Sequence, residues 1–319
     1  MNYKISVIER LEKMKDVLEV QQAIAEAARR SLVRQGFLEI IAPVVAPATD
    51  PGLRGAKRFE VDFYGHRYKL TSSMMLHKIT AASALRTVFS FSPCLRKESP
   101  DSAKTGRHLA EFWQIDVELQ GDRDDAMRTA ETMLADVIRD VTDKKKDAME
   151  RLGRKLRVPM LPLKRITHAE AVRIAKSMGF IIKECEEIPW DAERAIADRF
   201  GEPIFIVEYP TGSRGFYDAT DSSRPGKLTS FDLIYPEGFG EALSGSKREC
   251  DVGLVVKRLK EAGEEPEEYD WFISLLKTGK VKQTAGFGFG LERLTRFICG
   301  LGHIADATPF PKIPGRLSI

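Results

Sequence analysis

Cysteine and histidine are scarce in this chain of 319 residues, which has four cysteines and five histidines. The cysteines are far apart in the sequence, at Cys94, Cys185, Cys250 and Cys299. A protein zinc site needs closely spaced cysteine or histidine ligands, so this sequence predicts none. Scattered cysteines without a disulfide-like spacing are typical of a reducing compartment, and we therefore expect a cytoplasmic protein.

Long apolar runs and a strong net charge are also missing. No stretch of about 18 apolar residues and no secretory signal is recognisable, so no membrane partner is expected. The 50 Lys and Arg residues nearly balance the 47 Asp and Glu residues, which leaves a formal net charge of +3. This balance gives no electrostatic reason for strong non-specific binding to nucleic acids.

The order of predicted elements indicates the fold class. Apolar residues at helical spacing precede Gly36, and strand-like runs joined by hairpins follow, with further helices between them. This order favours an α+β fold with a mostly antiparallel sheet over a parallel βαβ sheet. Residues 144–205 are helical and rich in Lys and Glu, and we expect them to form a small insertion within one domain that spans residues 1–319.

Opposed charges are concentrated in the segment 91–119, FSPCLRKESPDSAKTGRHLAEFWQIDVEL. It reads as two strands joined by a polar loop that carries Arg107 and His108. Because strand side chains alternate, its polar groups fall on common faces, with Arg96 and Glu98 on one strand, and Gln114 and Asp116 on the other. Burial of such groups is costly unless they pair or bind something, so the alternatives are a structural ion-pair network and a ligand site.

A second polar cluster lies in FDLIYPEGFGEALSGSKRE. Asp232 and Glu241 stand on either side of a turn rich in Pro and Gly. Two converging carboxylates suit Mg²⁺ or an amine, and Arg248 suits a small anion through a bidentate contact. The alternative is a set of ordinary Glu–Arg pairs across surface strands.

A third cluster is AGFGFGLERL, in which Gly286, Gly288 and Gly290 alternate along a strand and Arg293 follows. Such a strand allows a backbone or a flat ligand to approach closely. Its spacing is neither that of a dinucleotide-binding loop nor that of a P-loop. A tightly packed strand followed by a capping arginine is the alternative.

These segments together resemble a known family. CLRKE, RHLAEFWQIDVE and GFGFGLERL resemble motifs 2 and 3 of the class II aminoacyl-tRNA synthetases, in the aspartyl/asparaginyl subgroup. GFLEIIAPVVAPATDP resembles motif 1, with Pro43 at the dimer interface, and FDLIYPEGFGEALSGSKRE is similar to the amino-acid and metal segment. The resemblance runs in the same order over about 18–311. It implies a class II synthetase-like antiparallel sheet flanked by helices, and a homodimer.

The resemblance also implies roles for individual residues. Arg96 and Arg293 are expected to be catalytic, because positive charge near the α-phosphate stabilises the transition state. The residues expected to bind ATP are Arg96, Glu98, Arg107, His108, Leu109, Phe112, Glu241, Gly290 and Arg293. Those expected to bind the amino acid are Lys78, Gln114, Asp116, Ser244 and Arg248. Asp232 and Glu241 are expected to hold Mg²⁺.

A further comparison with the subgroup indicates which molecule accepts the activated amino acid. Its synthetases carry an N-terminal OB-fold that reads the anticodon, and no such domain is expected here. LTSSMMLHK and the segment HIADATPFPKIPG resemble the archaeal asparagine synthetases related to aspartyl/asparaginyl-tRNA synthetases. Lys78, unless it is merely a solvated helix lysine, and Arg248 favour a dicarboxylic amino acid. The resemblance therefore implies an aspartate–ammonia ligase that uses ATP and forms asparagine through β-aspartyl adenylate, releasing AMP and pyrophosphate, with tRNA not expected as a partner.

Two other functions stay open on the sequence. One is a truncated aspartyl/asparaginyl-tRNA ligase that aminoacylates tRNA or another carrier. The other is a non-catalytic regulatory relative, which the retained charged residues of the three clusters disfavour. The sequence does not distinguish asparagine synthesis from the tRNA ligase reaction, because the two differ only in their product.

Overall fold

The computed structural model describes residues 7–51 and 56–316. Within them, the α-helices are α1 Val7–Lys13, α2 Lys15–Arg34, α3 Met75–Leu85, α4 Arg123–Lys144, α5 Lys146–Arg151, α6 His168–Ser177, α7 Trp190–Phe200, α8 Val252–Glu261, α9 Asp270–Lys277 and α10 Leu291–Cys299. Short 3₁₀ helices span Pro100–Thr105, Pro266–Tyr269 and Ile304–Ala307.

The strands form two sheets. Their bounds are β1 Leu38–Glu39, β2 Val45–Ala46, β3 Glu60–Phe63, β4 His66–Leu70, β5 Thr87–Leu95, β6 Glu111–Leu119, β7 Lys164–Thr167, β8 Ile204–Val207, β9 Ser230–Tyr235, β10 Gly240–Lys247 and β11 Ala285–Gly290. The large sheet has eight strands in the order β1-β5-β6-β11-β10-β9-β8-β7, and the small one has the order β2-β4-β3.

The large sheet is antiparallel through its centre and parallel at both ends. β1 runs parallel to β5 and β7 runs parallel to β8, whereas the pairs between β5 and β8 are antiparallel. Helices flank this sheet, so the predicted α+β fold of the class II synthetase type is confirmed.

Alternation along β6 divides the sheet into an apolar face and a polar face. Ile115 and Val117 are fully buried in the main hydrophobic core, which α2 and α4 cover. The intervening side chains of Gln114, Asp116 and Glu118 lie on the opposite face, as the two-residue period of a strand requires. Amphipathic spacing explains why α2 and α4 pack here, since each buries one apolar stripe.

Glycines in β11 allow the polar face to hold large side chains. A Cβ placed on Gly286 would lie 2.1 Å from Oε2 of Glu118, and one on Gly288 would lie 3.0 Å from Nε2 of Gln114. Side chains from β6 thus occupy the space above β11, which a residue larger than glycine would fill.

The segment 144–205 contains more than the predicted helices. It holds α5, β7, α6, α7 and the first residues of β8, and β7 pairs with β8 at the edge of the large sheet. Its apolar residues, including Val172, Ile188 and Ile196, form a second core with Ile206 of β8. That this segment is an insertion into a single domain stays a prediction. No helix among the described residues has the length and apolar character needed to span a membrane.

Candidate functional site

A cavity of about 410 Å³ lies on the polar face of the large sheet. Most of the predicted site residues line it, and these are Arg96, Glu98, Arg107, His108, Leu109, Phe112, Gln114, Asp116, Glu241, Ser244, Arg248, Gly290 and Arg293. Lys78 and Asp232 do not line it, although each contacts a residue that does. The three sequence clusters therefore converge on one cavity, through β5, β6, β10 and β11.

One end of the cavity presents arginines and an aromatic ring. The guanidinium of Arg96 lies 5.1 Å from the ring centre of Phe112, and its Nε donates to the carbonyl of Ser72 at 3.1 Å. Opposite, Nη1 of Arg293 donates to Oε1 of Glu241 at 2.8 Å. Cationic groups beside a flat ring surface suit a nucleotide, whose phosphates bind arginine and whose base stacks on an aromatic ring.

Helix α7 contributes a wall to this end. The ring centre of Trp190 lies 4.6 Å from that of His108 and 5.6 Å from the guanidinium of Arg107. The carboxylate of Glu193, a fully buried residue, lies 4.0 Å from Nη1 of Arg107. Sequence reasoning missed Trp190 and Glu193, because the segment that carries them is about 80 residues from the predicted loop and follows the period of a helix.

Three carboxylates converge near the cavity, and they belong to Glu193, Asp232 and Glu241. Each offers one oxygen, and these atoms lie within 4.8 Å of one another. Asp232 is also held by Arg214, whose Nη1 and Nη2 donate to its two oxygens at 3.0 and 2.6 Å. An all-oxygen donor set of this kind fits Mg²⁺.

Lys78 is buried in an ion-pair network beside the cavity, which its partner Asp116 lines. Its Nζ donates to Oδ1 of Asp116 at 2.7 Å and to the carbonyl of Phe287 at 2.8 Å. The other oxygen of Asp116 accepts from Ser92 at 2.6 Å. Lys78 and Asp116 are each 1% exposed, so the lysine charge is already neutralised inside the protein. The amino-acid-binding role of Lys78 stays a prediction.

Arg248 is paired in a similar way. Its Nε and Nη2 each donate at 2.9 Å to one oxygen of Glu118, which also accepts from Thr284 at 2.8 Å. The ion pairs of Arg248 with Glu118 and of Lys78 with Asp116 supply the structural network that the sequence left as an alternative, and Arg248 and Asp116 also line the cavity. The structural network is therefore present, and a ligand site on the same face stays a prediction.

Several further cavity residues were not predicted from the sequence, namely Asp50, Glu187, Arg214, Tyr217, Asp218 and Glu292. Arg214, Tyr217 and Asp218 lie in TGSRGFYDATD, which has neither helical nor strand periodicity. The available signal was the presence of charged and aromatic residues in a segment without periodicity, since binding residues often lie on loops. Glu292 lies two residues after the glycine strand, and burial raises its pKa from 4.5 to about 7.

The family model described as tRNA synthetases class II (D, K and N) matches residues 1–314. The chain belongs to this family. The match covers every residue that lines the cavity, so the predicted class II catalytic core, a ligase-type core that binds ATP, is supported.

Similar proteins and solved structures also belong to the synthetase family. The chain is 33% identical over 311 residues to the asparagine–tRNA ligase of Thermococcus kodakarensis, covering 96% of this chain and 70% of that one. It resembles the crystal structure of asparaginyl-tRNA synthetase from Pyrococcus horikoshii complexed with asparaginyl-adenylate, with a TM-score of 0.88, 30% identity and coverage of 96% and 70%. The asparaginyl-tRNA synthetase of Entamoeba histolytica in complex with asparaginyl-adenylate gives a TM-score of 0.87 at 25% identity, with coverage of 100% and 74%.

These relationships correct two expectations from the sequence. Asparagine synthesis from aspartate and ammonia is contradicted, and so is the absence of tRNA as a partner, because the similar proteins are asparagine–tRNA ligases. The physical reason lies in the ion pairs. Lys78 and Arg248 were interpreted as two cations for a dicarboxylic substrate, but Asp116 and Glu118 already neutralise them.

Proposed function

We propose that this chain activates the α-carboxyl group of asparagine with ATP and transfers the asparaginyl group to tRNA. The observation that carries the proposal is the continuity of the cavity, in which an arginine-rich nucleotide end meets a charge-paired amino-acid end across β6 and β11. The likeness to asparaginyl-tRNA synthetases supports the same substrates.

At the nucleotide end, Arg96 lines the cavity directly after the end of β5, and Arg293 lines it from α10. Their guanidinium groups would hold the α-phosphate while the amino-acid carboxylate attacks it and pyrophosphate leaves. Charge builds up on the phosphate oxygens in that transition state, so fixed positive groups lower its energy. Phe112 would stack on the base, and Arg107 and His108 would cover the triphosphate. Positioning and charge neutralisation thus carry the reaction, without a covalent protein intermediate.

Mg²⁺ fits the donor set of Glu193, Asp232 and Glu241, which would hold it beside the triphosphate. When bound, the ion supplies charge neutralisation to phosphate oxygens. Arg293 and Arg214 hold Glu241 and Asp232 in place on this side of the cavity.

At the amino-acid end, Gln114, Asp116, Ser244 and Arg248 line the cavity. The two cations nearest the amino acid are already paired with carboxylates, so no unbalanced positive charge is available for a side-chain carboxylate. A neutral side chain therefore has the lower desolvation cost at this end, which favours asparagine over aspartate.

A homodimer is part of the proposal. Strand β1 lies at the edge of the large sheet, and apolar side chains project beside it, with Ile41 96%, Leu38 54% and Val44 50% exposed. An exposed sheet edge with apolar neighbours is a surface that proteins usually cover. A second copy of this chain is the proposed occupant, because the motif 1 resemblance lies in these residues.

The test combines two assays on purified protein. Pyrophosphate exchange into ATP is measured with each standard amino acid, and charging is measured with labelled asparagine and total tRNA. We expect exchange with asparagine and acid-precipitable label on tRNA. Periodate-oxidised tRNA, whose 3′ end cannot accept an amino acid, is the control for charging, and Arg293→Ala protein prepared in parallel is the control for contaminating host enzyme. Exchange without any charging of intact tRNA would refute the transfer step, and no exchange with asparagine would refute the activation step.

A further inference from the structure

Two lysines, Lys57 and Lys97, are paired directly opposite each other near the cavity. The backbone N–H of Lys97 donates to the carbonyl of Lys57 at 2.8 Å, and the N–H of Lys57 donates to the carbonyl of Lys97 at 3.1 Å. The two residues thus form an isolated antiparallel bridge, a pairing that places Cα atoms about 5.5 Å apart. Directly opposed residues project their side chains from the same face, and both lysines are exposed. Two positive charges therefore stand side by side in solvent.

No described carboxylate forms an ion pair with Lys57 or Lys97, although the other Lys and Arg residues of segments 57–70 and 97–105 each have one. Those ion pairs are Arg58–Glu264, Arg67–Glu60, Lys69–Glu268 and Lys104–Asp101. Like charges directly opposite each other on neighbouring strands destabilise the pairing. The fold thus keeps a local repulsion, which a ligand with several negative charges would relieve.

The lysine pair lies beside the opening of the cavity. Arg96 and Glu98, the chain neighbours of Lys97, line the cavity, and because side chains alternate along an extended strand, Lys97 projects from the outer side. The exposed residues Ser99 and Asp101 also line the cavity, so it reaches the protein surface within a few positions of Lys97. A long ligand that enters the cavity here therefore passes the two ammonium groups.

The backbone that carries Lys57 is held in place by its neighbour Arg58. Nη1 of Arg58 donates to Oε2 of Glu264 at 2.6 Å and to the hydroxyl of Tyr269 at 2.8 Å. Tyr269 is fully buried in a hydrophobic cluster with α8 and α9. The position of the lysine pair is therefore fixed by the protein core, while its side chains stay in solvent.

We propose that Lys57 and Lys97 bind phosphodiester groups of the single-stranded 3′ end of tRNA where that end enters the cavity. Lysine binds phosphate as a point charge, and a strand of RNA offers successive phosphates that neutralise both lysines together. This inference rests on the proposed transfer to tRNA. It names a contact that the RNA makes and that ATP and the amino acid, bound inside the cavity, do not make.

The first experiment separates tRNA binding from activation in Lys57→Ala/Lys97→Ala. We expect kcat/KM for charging to fall about 10-fold, mainly through a higher KM for tRNA, while pyrophosphate exchange with asparagine stays within about twofold of the wild type. Lys277→Ala/Lys280→Ala is the matched control, because it removes two exposed lysines outside the cavity lining and should keep the wild-type KM. Lys57→Arg/Lys97→Arg keeps both charges and should restore charging.

The second experiment measures the salt dependence of binding by fluorescence anisotropy of labelled tRNA. Each phosphate contact on a single strand contributes about 0.7 to the slope of log affinity against log salt concentration, so loss of two contacts should lower the magnitude of the slope by about 1.4. A tRNA trimmed of its single-stranded 3′ end lacks the proposed contact. It should therefore bind the wild type and Lys57→Ala/Lys97→Ala with equal affinity.

Several results would overturn the inference. They are an unchanged slope and KM in Lys57→Ala/Lys97→Ala, an equal loss in the Lys277→Ala/Lys280→Ala control, a raised KM for ATP in exchange, and a binding defect that persists with trimmed tRNA. A lower melting temperature of Lys57→Ala/Lys97→Ala would also contradict it, because removal of the repulsion should leave stability equal or higher. Failure of the wild type to charge tRNA would refute the proposed function, whereas equal charging by wild type and variant would refute only this inference.

Discussion

The carboxyl group of Glu292 allows the energetics of the cavity wall to be tested. The residue lies in the first turn of α10 and is 3% exposed. The backbone N–H of Trp113 donates to its two oxygens at 3.1 and 3.0 Å, and no described Lys or Arg forms an ion pair with it. Burial without a cation raises its pKa from 4.5 to about 7.

The raised pKa makes stability depend on pH in a defined direction. Below pH about 4.5, Glu292 is protonated in both the folded and the unfolded chain. As the pH rises to about 7, the unfolded chain ionises this group while the folded chain resists, so stability is lost. The interval between the two pKa values corresponds to about 3 kcal/mol of unfolding free energy.

Glu292→Gln removes this dependence and keeps an acceptor for Trp113. We expect the free energy of unfolding of the wild type, relative to Glu292→Gln, to fall by about 3 kcal/mol between pH about 4.5 and about 8. Urea unfolding at a series of pH values, followed by tryptophan fluorescence, measures it. Glu150→Gln makes the same change at an exposed helical position and should follow the wild-type profile. Parallel profiles for wild type and Glu292→Gln would show that the carboxyl is not buried as described.

Three further predictions follow from the cavity and the exposed sheet edge. Arg293→Ala should lower pyrophosphate exchange about a hundredfold, because one transition-state phosphate contact is lost; full exchange activity in this variant would remove the arginine from the reaction. Arg214→Met leaves the buried carboxylate of Asp232 without its ion-pair partner, so we expect the free energy of unfolding to fall by about 3–5 kcal/mol in denaturant titration. A loss below about 1 kcal/mol would contradict the importance of this ion pair. Ile41→Glu should shift a dimer toward monomer in light scattering at micromolar concentration, and a wild-type monomer under those conditions would refute the proposed interface.

Much of the site was predictable because its motifs are local. The alternation in β6 separates Ile115 and Val117 from Gln114 and Asp116, and the sequence shows this period directly. The glycines of β11 lie opposite Gln114, Asp116 and Glu118 in the sheet register, where large side chains need space. The alternation within each strand uses only neighbours in the chain, so the sequence predicted the polar face, whereas the register between β11 and β6 comes from the tertiary structure.

The parts that the sequence missed depend on distant segments. Trp190 lines the cavity from α7, Glu193 of the same helix joins the carboxylate cluster near it, and Asp218 lines the cavity from an irregular loop. Helical periodicity places Glu193 on the buried stripe of α7, but it does not say that an arginine and two other carboxylates meet it there. The error about the substrate has the same origin, since Lys78 and Arg248 were counted as available charges.

The sequence by itself determined the fold class, the family and the polar face of the sheet. These follow from residue periodicity, from glycines and from the order of motifs, all of which are local properties of the chain. Only the tertiary structure decided which charges are available to a ligand. Lys78 meets Asp116 across 38 positions of sequence, and Arg248 meets Glu118 across 130. Such pairings depend on strand register and on the packing of separate elements, and they determine whether a buried charge binds substrate or balances a neighbour.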